Sequence, residues 1–406
     1  MIIRIDVKQI IQYLAIYFIA VFSGSIMFVL NQSAFLYGLL VIYTISAIFR
    51  FRFRMKEPML LSGFLLLSVF FVRMISGGIG VETWLLYSGQ FLIVYYAYLV
   101  DPPKFAGRYV KIVTLLSVIS LGCWLMQIIM PDVLKIILQS RVDLYNKSQT
   151  YTTTYYGQLL YTFSEGSGLG IRNAGMYSEP GRYQGILHGA IFMLLFMQEY
   201  LGLSKKQLYT YLIIIFVTIA STQSTTGYLG LFVMLIGFLL VNRETIDKRV
   251  KRAILFIIFA LTLFLIYDFY RNGANSLLAS VVIGKLEDTD ITDMASSGGA
   301  RLRMIELCIN SIIEKPWGAG TLQADGNVVS AGVLRLFAYL GIIPGIVATV
   351  WLFRPFIKAN IGVIELIVFA FVYINLGLAQ TYFFYPGLLA VPIVLNHCRG
   401  TKHLLM

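Results

Sequence analysis

Apolar stretches of about 15 to 22 residues, each long enough to cross a hydrocarbon layer as a helix, recur along the whole chain. They run near residues 10–30, 34–49, 59–73, 83–100, 110–130, 183–201, 209–222, 227–241, 253–270, 334–353, 361–378 and 383–397. A soluble domain coats itself with about 25% charged residues. This chain of 406 residues has 13% charged and 58% hydrophobic residues, too few charges to clothe a water-facing surface. The pattern predicts an all-α, polytopic membrane bundle that crosses the bilayer about twelve times. No long polar linker divides it, so residues 1–406 are expected to form a single transmembrane domain. The first run follows Arg4 and Lys8, is too long for a signal-peptide core and lacks a small-residue cleavage site, so it is expected to stay as an anchor.

The net charge of +12 has a topological explanation, because Lys and Arg stay on the cytoplasmic side of a membrane. Nucleic acid is therefore not an expected partner. With both termini cytoplasmic, the inner segments hold Arg4 and Lys8; Arg50, Arg52, Arg54 and Lys56; Lys104, Arg108 and Lys111; Lys205 and Lys206; Arg243, Lys248, Arg249, Lys251 and Arg252; Arg354 and Lys358; Arg399 and Lys402. These are most of the 32 basic residues, and the short outer connections 74–82, 223–226 and 379–382 have none. Cys123, Cys308 and Cys398 fall in a predicted span, an outer loop and the tail, with no metal-site spacing and no implied disulfide.

Two outer connections are long, 131–182 and 271–333. Loops of that length are rarely idle. They hold Lys135, Arg141, Lys147, Arg172, Arg182, Arg271, Lys285, Arg301, Arg303 and Lys315, against the insertion signal. An anionic ligand is the natural reason for outer arginines, whose forks grip phosphate oxygens. Within the second loop, residues 301–314 place Leu302, Ile305, Ile309, Ile312 and Ile313 at helical spacing, which predicts an interfacial helix. Pro316, Gly318 and Gly320 end it.

The densest polar signal is Arg172-Asn173-Ala174-Gly175-Met176-Tyr177-Ser178-Glu179-Pro180-Gly181-Arg182-Tyr183. Pro180 suits the first turn of a helix, and Glu179 beside it suits the N-terminus. The run sets two guanidinium groups and a carboxylate at the outer surface. There they can bind phosphate and accept a proton from a sugar hydroxyl. The same residues also fit an anionic helix cap with an arginine partner. The turn Ser221-Thr222-Gln223-Ser224-Thr225-Thr226-Gly227 offers hydroxyls to a sugar or phosphate, or caps the helices on either side. Arg301 begins a helix beside free backbone N–H groups, and Arg335 follows at the next span; lipid headgroups would satisfy both equally. The acidic stretch 287–293 lacks the glycine of a calcium loop and reads as solvated, so no metal is expected. His188 and Glu365 fall inside predicted spans, where ionisable groups are functional suspects, although pairing to a neighbouring helix is the commoner role.

At these residues the chain resembles the O-antigen polymerase and O-antigen ligase superfamily of bacterial membrane glycosyltransferases. Arg172, Gly175, Glu179 and Pro180 match its RxxGxxxEP signature. The Ser/Thr-rich turn before Gly227 and the stretch from Arg301 to Pro316, Gly318 and Gly320 are similar to its next two blocks, over roughly residues 110 to 353. The ligase branch usually carries a His-Asn pair where this chain reads Val328-Val329-Ser330-Ala331-Gly332-Val333-Leu334-Arg335, which has no histidine. The resemblance therefore favours a Wzy-type polymerase, with a GT-C-like bundle in the bacterial inner membrane. It implies joining of undecaprenyl-pyrophosphate-linked oligosaccharide units, for O-antigen, capsule or another exopolysaccharide, on the outer face. It implies no cofactor and no metal, and a flippase and chain-length regulator as partners besides membrane lipids. Under it, Arg172 and Arg301 stabilise the pyrophosphate leaving group, with Arg182 and Arg335 in support. Glu179 is the base, and Gly175, Tyr177, Ser178 and Ser224 shape the substrate site. The competing classes are an O-antigen ligase, a peptidoglycan strand polymerase, and a lipid-linked oligosaccharide flippase or other transporter. The two long loops and the lack of a two-fold repeat argue against a carrier.

Overall fold

The computed structural model describes residues 7–48, 56–146, 151–165, 171–242, 270, 297–322 and 331–397. These residues are mostly helical, with fifteen α-helices among them. They are α1 Val7–Phe22, α2 Ile26–Leu30, α3 Gln32–Ile48, α4 Lys56–Ile75, α5 Val81–Val100, α6 Pro102–Ile129, α7 Pro131–Leu138, α8 Pro180–Phe196, α9 Lys205–Ser221, α10 Thr225–Val241, α11 Ser297–Glu314, α12 Gly332–Leu340, α13 Ile342–Lys358, α14 Val363–Ala379 and α15 Pro386–His397. Two of them, α4 from Glu57 and α6, are long and apolar enough to cross a membrane.

Helix α8 is the axis of the bundle. Apart from Gly181 and Phe196 its residues are buried, and it packs on α6, α9, α10, α14 and α15. Its close approach to α15 depends on small residues. A side-chain carbon at Gly387 would stand 2.6 Å from the Ile186 Cα, so the two backbones nearly touch. The Tyr109 hydroxyl donates to the Gly387 carbonyl at 2.8 Å, tying α6 into the same crossing.

The helices align with the apolar runs, with three departures. The first run is two helices: the chain turns at Gly24 (φ 104°), and Ser25 caps α2 by accepting from Phe28 N at 3.2 Å. The run expected at 334–353 is likewise broken. Gly341 (φ 99°) separates the short α12 from α13, which continues to Lys358. Both flanks of Gly341 are apolar, so hydropathy runs straight through the break. Third, the first long loop is not purely helical. After α7 it forms an antiparallel sheet of β1 Arg141–Asn146, β2 Tyr151–Tyr156 and β3 Phe163–Glu165. Arg141 pairs with Tyr156, and Tyr156 with Phe163. The aromatic and β-branched run Tyr-Thr-Thr-Thr-Tyr-Tyr favours this pleated surface. The run 253–269 lies outside the described residues, as does the acidic stretch 287–293. The helix expected at 301–314 is α11, which begins earlier, at Ser297.

The two ends of the bundle differ in their charge pairing. At one end Arg108 bonds Asp101 at 2.8 Å and Gln12 Oε1 at 2.6 Å, while Glu57 faces Arg354 and Lys358 at 3.6 and 3.3 Å. The opposite end gathers the loop before α8, the α9–α10 turn, the start of α12 and the connection from α14 to α15.

Candidate functional site

The site is built on the loop that enters α8. Asn173 anchors it: its N–H donates to the Ser221 carbonyl at 3.1 Å, and its amide donates to Ser221 Oγ at 2.9 Å and Ser120 Oγ at 3.3 Å. Its Oδ1 accepts from Gly175 N at 3.0 Å, closing a local turn. Gly175 is left-handed (φ 57°), and a methyl there would stand 2.7 Å from the Tyr183 ring. Tyr177 stacks on Tyr183 with centroids 5.2 Å apart and donates its hydroxyl to the Ala20 carbonyl at 3.1 Å. Gly175 and Tyr177 thus pack the loop against the bundle. Tyr177 is 1% exposed with its hydroxyl already engaged, so it does not line a sugar site as expected.

Glu179 occupies the N-cap position of α8 in extended conformation (φ −143°, ψ 142°), yet its side chain makes no capping hydrogen bond. Its carboxylate is exposed and forms no hydrogen bond or ion pair with any described residue. The cap expected as the alternative role is absent. One helical turn on, Arg182 is 8% exposed, and its Nε and Nη1 have no hydrogen-bond partner. A buried arginine without an acceptor is costly, because its donors are withdrawn from water and nothing replaces it. The guanidinium carbon lies 5.9 Å from the ring centre of Tyr382. Arg182 also lies within electrostatic range of Glu179, Tyr385 and Tyr155 of β2. Burial pushes the Tyr382 phenol above its ordinary pKa, and the positive charge of Arg182 opposes that shift.

Arg335 approaches Tyr382 from α12. Its Nη2 donates to the Tyr339 hydroxyl at 2.6 Å, the guanidinium lies 5.0 Å from that ring centre, and Nε is unpaired. Tyr382 is acted on by Arg182, Glu179 and Arg335 together. The start of α12 is fastened to this connection by Gly332 N donating to the Gln380 carbonyl at 2.7 Å.

The other expected residues are placed differently. Arg172 is half-buried beside the α9–α10 turn, where Nε donates to the Thr222 carbonyl at 3.2 Å. Ser224 caps α10 by accepting from Gly227 N at 3.4 Å. The Ser178 hydroxyl is buried without a partner. Arg301 lies in α11, and its side chain is outside the described residues. His188 is a bridging histidine, its ring nitrogens 2.8 Å from the Gln184 carbonyl and 3.1 Å from that of Gly227. Glu365 sits in the first turn of α14 beside Gly362, where a carboxylate suits the helix dipole. Cys123 and Cys308 are free thiols, and the described residues contain no cluster of metal-ligating groups.

Two of the first loop's cations, Lys135 and Arg141, are neutralised locally rather than offered to a ligand. Lys135 pairs with Glu165 and with Asp132 at 3.3 Å, and Arg141 with Asp143 at 3.2 Å. The Thr154 hydroxyl and then the Arg141 guanidinium hold the Asp143 carboxyl below its usual range. The loop is stitched down by Tyr17 OH to the Leu159 carbonyl (2.7 Å), Trp124 Nε1 to the Ile171 carbonyl (2.6 Å) and Tyr161 OH to Gln127 Oε1 (2.6 Å).

Residues of the α14–α15 connection were not singled out in the sequence. Thr381 Oγ1 and Tyr385 OH are buried and unpartnered, and Tyr382 between them in sequence is buried. The available signal was the dense run of hydroxyls and aromatics in a short connection, Gln380-Thr381-Tyr382-Phe383-Phe384-Tyr385. No protein-family model matches this chain, and no curated protein matches it.

Proposed function

We propose that this chain is a polytopic inner-membrane glycosyltransferase that joins lipid-linked oligosaccharide units at the outer face. Membrane embedding is supported by what the long helices expose. Only 39% of the apolar window in α4 and 28% of that in α6 are buried, whereas a soluble core helix is mostly buried. Leu60, Leu67 and Met74 of α4 and Ile129 of α6 are exposed large apolar side chains, as a lipid-facing surface requires. The basic-residue asymmetry puts Glu57 and Arg108 on the cytoplasmic side and Arg182 on the outer side. About twelve spans then fit the apolar runs.

The observation that carries the reading is the pairing of an uncapped, exposed Glu179 carboxylate with the buried, unpaired Arg182 one turn away. In the reaction, the acceptor sugar hydroxyl loses its proton to Glu179 as its oxygen bonds to the anomeric carbon. The bond from that carbon to the polyprenyl pyrophosphate breaks, and the pyrophosphate leaves with the electron pair. Arginines fixed in a low-dielectric site stabilise that charge more strongly than water-facing ones. Arg182 and Arg335 fill this role most directly, with Arg172 and Arg301 supporting it. The polyprenyl tail stays in the bilayer throughout.

The test is elongation of lipid-linked oligosaccharide in vesicles containing the purified protein. Lengthened, lipid-linked sugar chains are expected. Relocation of substrate across the bilayer without lengthening would replace this reading with a transporter.

A further inference from the structure

We propose that Arg182, Tyr382 and Tyr385 form a buried seat for a phosphate-bearing anion, specifically a diphosphate, with the 380–385 connection supplying half of it. Naming the diphosphate rests on the polymerase reading; the seat itself rests on the orphaned polar atoms. Those atoms are concentrated here. Arg182 leaves Nε and Nη1 unpaired, Tyr385 leaves its hydroxyl unpaired at 1% exposure, and Thr381 and Ser178 add unpartnered buried hydroxyls beside Tyr382 and Glu179 in sequence. Buried polar groups are satisfied in the great majority of folded proteins. A guanidinium can only donate, and the hydroxyls can donate alongside it, so the missing partner must be rich in acceptor oxygens.

The packing holds these groups in place. The Tyr385 ring lies against Gly185, one turn along α8 from Arg182, and the rings of Tyr382 and Tyr385 meet edge to face at 5.8 Å. Arg182 and Tyr382 close together over Gly24, each 3.1 Å from where a methyl carbon would stand. Glu179 is the acidic group within electrostatic range of both tyrosines and of Arg182. Its single negative charge leaves Arg182 and Arg335, both within electrostatic range of Tyr382, with net positive charge between them. Two cations within range of one phenol suit a ligand with two linked anionic centres, and a diphosphate is the smallest such ligand of the phosphate class.

The experiment uses purified full-length protein and its Tyr385→Phe, Tyr382→Phe and Arg182→Gln variants. Thermal melting is read without ligand, then with inorganic pyrophosphate, with farnesyl diphosphate, and with phosphatidylglycerol nanodiscs. Without ligand, Tyr385→Phe should melt no lower than the wild type, because the hydroxyl it removes has no partner. With inorganic pyrophosphate and with farnesyl diphosphate the wild type should melt higher. Tyr385→Phe should weaken the apparent affinity at least fivefold, and Arg182→Gln should abolish the shift. A loss of stability in unliganded Tyr385→Phe would show that the hydroxyl already has a partner, overturning the proposal. So would equal diphosphate shifts in all four proteins. A variant-sensitive shift with phosphatidylglycerol alone would make this a headgroup site and overturn the diphosphate assignment. Diphosphate binding that depends on Tyr385, in a protein that never lengthens sugar chains, would leave the seat standing and remove the polymerase reading. Normal elongation by Tyr385→Phe together with undiminished diphosphate binding would do the reverse.

Discussion

Arg182 and Tyr382 grip the same glycine: a methyl group built on Gly24 would stand 3.1 Å from Arg182 Cδ and 3.1 Å from Tyr382 Cε2. The backbone there is left-handed, with φ at 104°, so the position resists a side chain on two counts. Gly24→Ala should lower stability by about 1–3 kcal/mol through backbone strain. It should also displace the Arg182 side chain and reduce elongation more than the stability loss explains. Melting and elongation assays on the same preparation check this; unchanged values for both would mean the kink tolerates a methyl group.

Glu179 separates capping from chemistry. A lost N-cap costs about 0.5–2 kcal/mol. The Glu179 side chain makes no capping bond, so Glu179→Gln should melt like the wild type. Loss of a general base costs roughly a hundredfold to ten-thousandfold in rate. The variant should therefore accumulate single lipid-linked repeats with almost no polymer. Near-normal chain length in this variant would move the proton acceptor elsewhere.

The cations of α7 and β1 should behave unlike Arg182. Lys135 and Arg141 already have carboxylate partners within their own loop. Lys135→Ala and Arg141→Ala are expected to retain full elongation activity, whereas Arg182→Ala loses it. A collapse of activity in Arg141→Ala would reassign the sheet to substrate binding.

Arg172 tests whether a fork or only a positive charge is needed. Its Nε serves the Thr222 carbonyl, so replacement disturbs the α9–α10 turn as well as the local field. Arg172→Ala should abolish polymer, and Arg172→Lys should rescue poorly, because an ammonium cannot hold a carbonyl and a phosphate in one plane. Chain-length distributions from cells carrying each variant settle the matter, and full rescue by lysine would show that charge alone suffices.

Topology is testable with single cysteines in a cysteine-free background. Arg141→Cys should react with an impermeant maleimide added outside intact cells, and Lys205→Cys should react only after permeabilisation. Labelling of position 205 in intact cells would invert the assignment of the two ends.

The helices were legible because lipid-compatible runs are both long and bounded by charge, as at Lys56 to Ile75. The breaks at Gly24 and Gly341 were not, since neither the short Ser23-Gly24-Ser25 nor a lone glycine between Leu340 and Ile342 interrupts the hydropathy of a long apolar run. The Tyr151–Tyr156 strand carried an ordinary β signature inside a segment that length alone marked as a loop. Glu179, Arg182 and Arg335 could be picked out because charges at the mouth of an apolar run need a reason. Tyr382 and Tyr385 could not, because aromatic residues are common at interfaces. Only the tertiary fold reveals that these phenols meet Arg182 from the far end of the chain. The resemblance also ranked Arg172 above Arg182, because a motif match cannot distinguish a guanidinium already bonded to a carbonyl from one left open.

Ile26 donates its N–H to the Met176 carbonyl at 3.1 Å, and Ser23 Oγ accepts from Gly387 N at 3.1 Å. The C-terminal end of the first helix is thereby woven into the backbone of two remote segments. A chimera in which a foreign apolar helix replaces residues 7–30 would keep an apolar first segment. It would nevertheless arrive with the loop before α8 and the start of α15 untethered, so domain-swapping experiments should graft at Asn31 or later and leave this segment native.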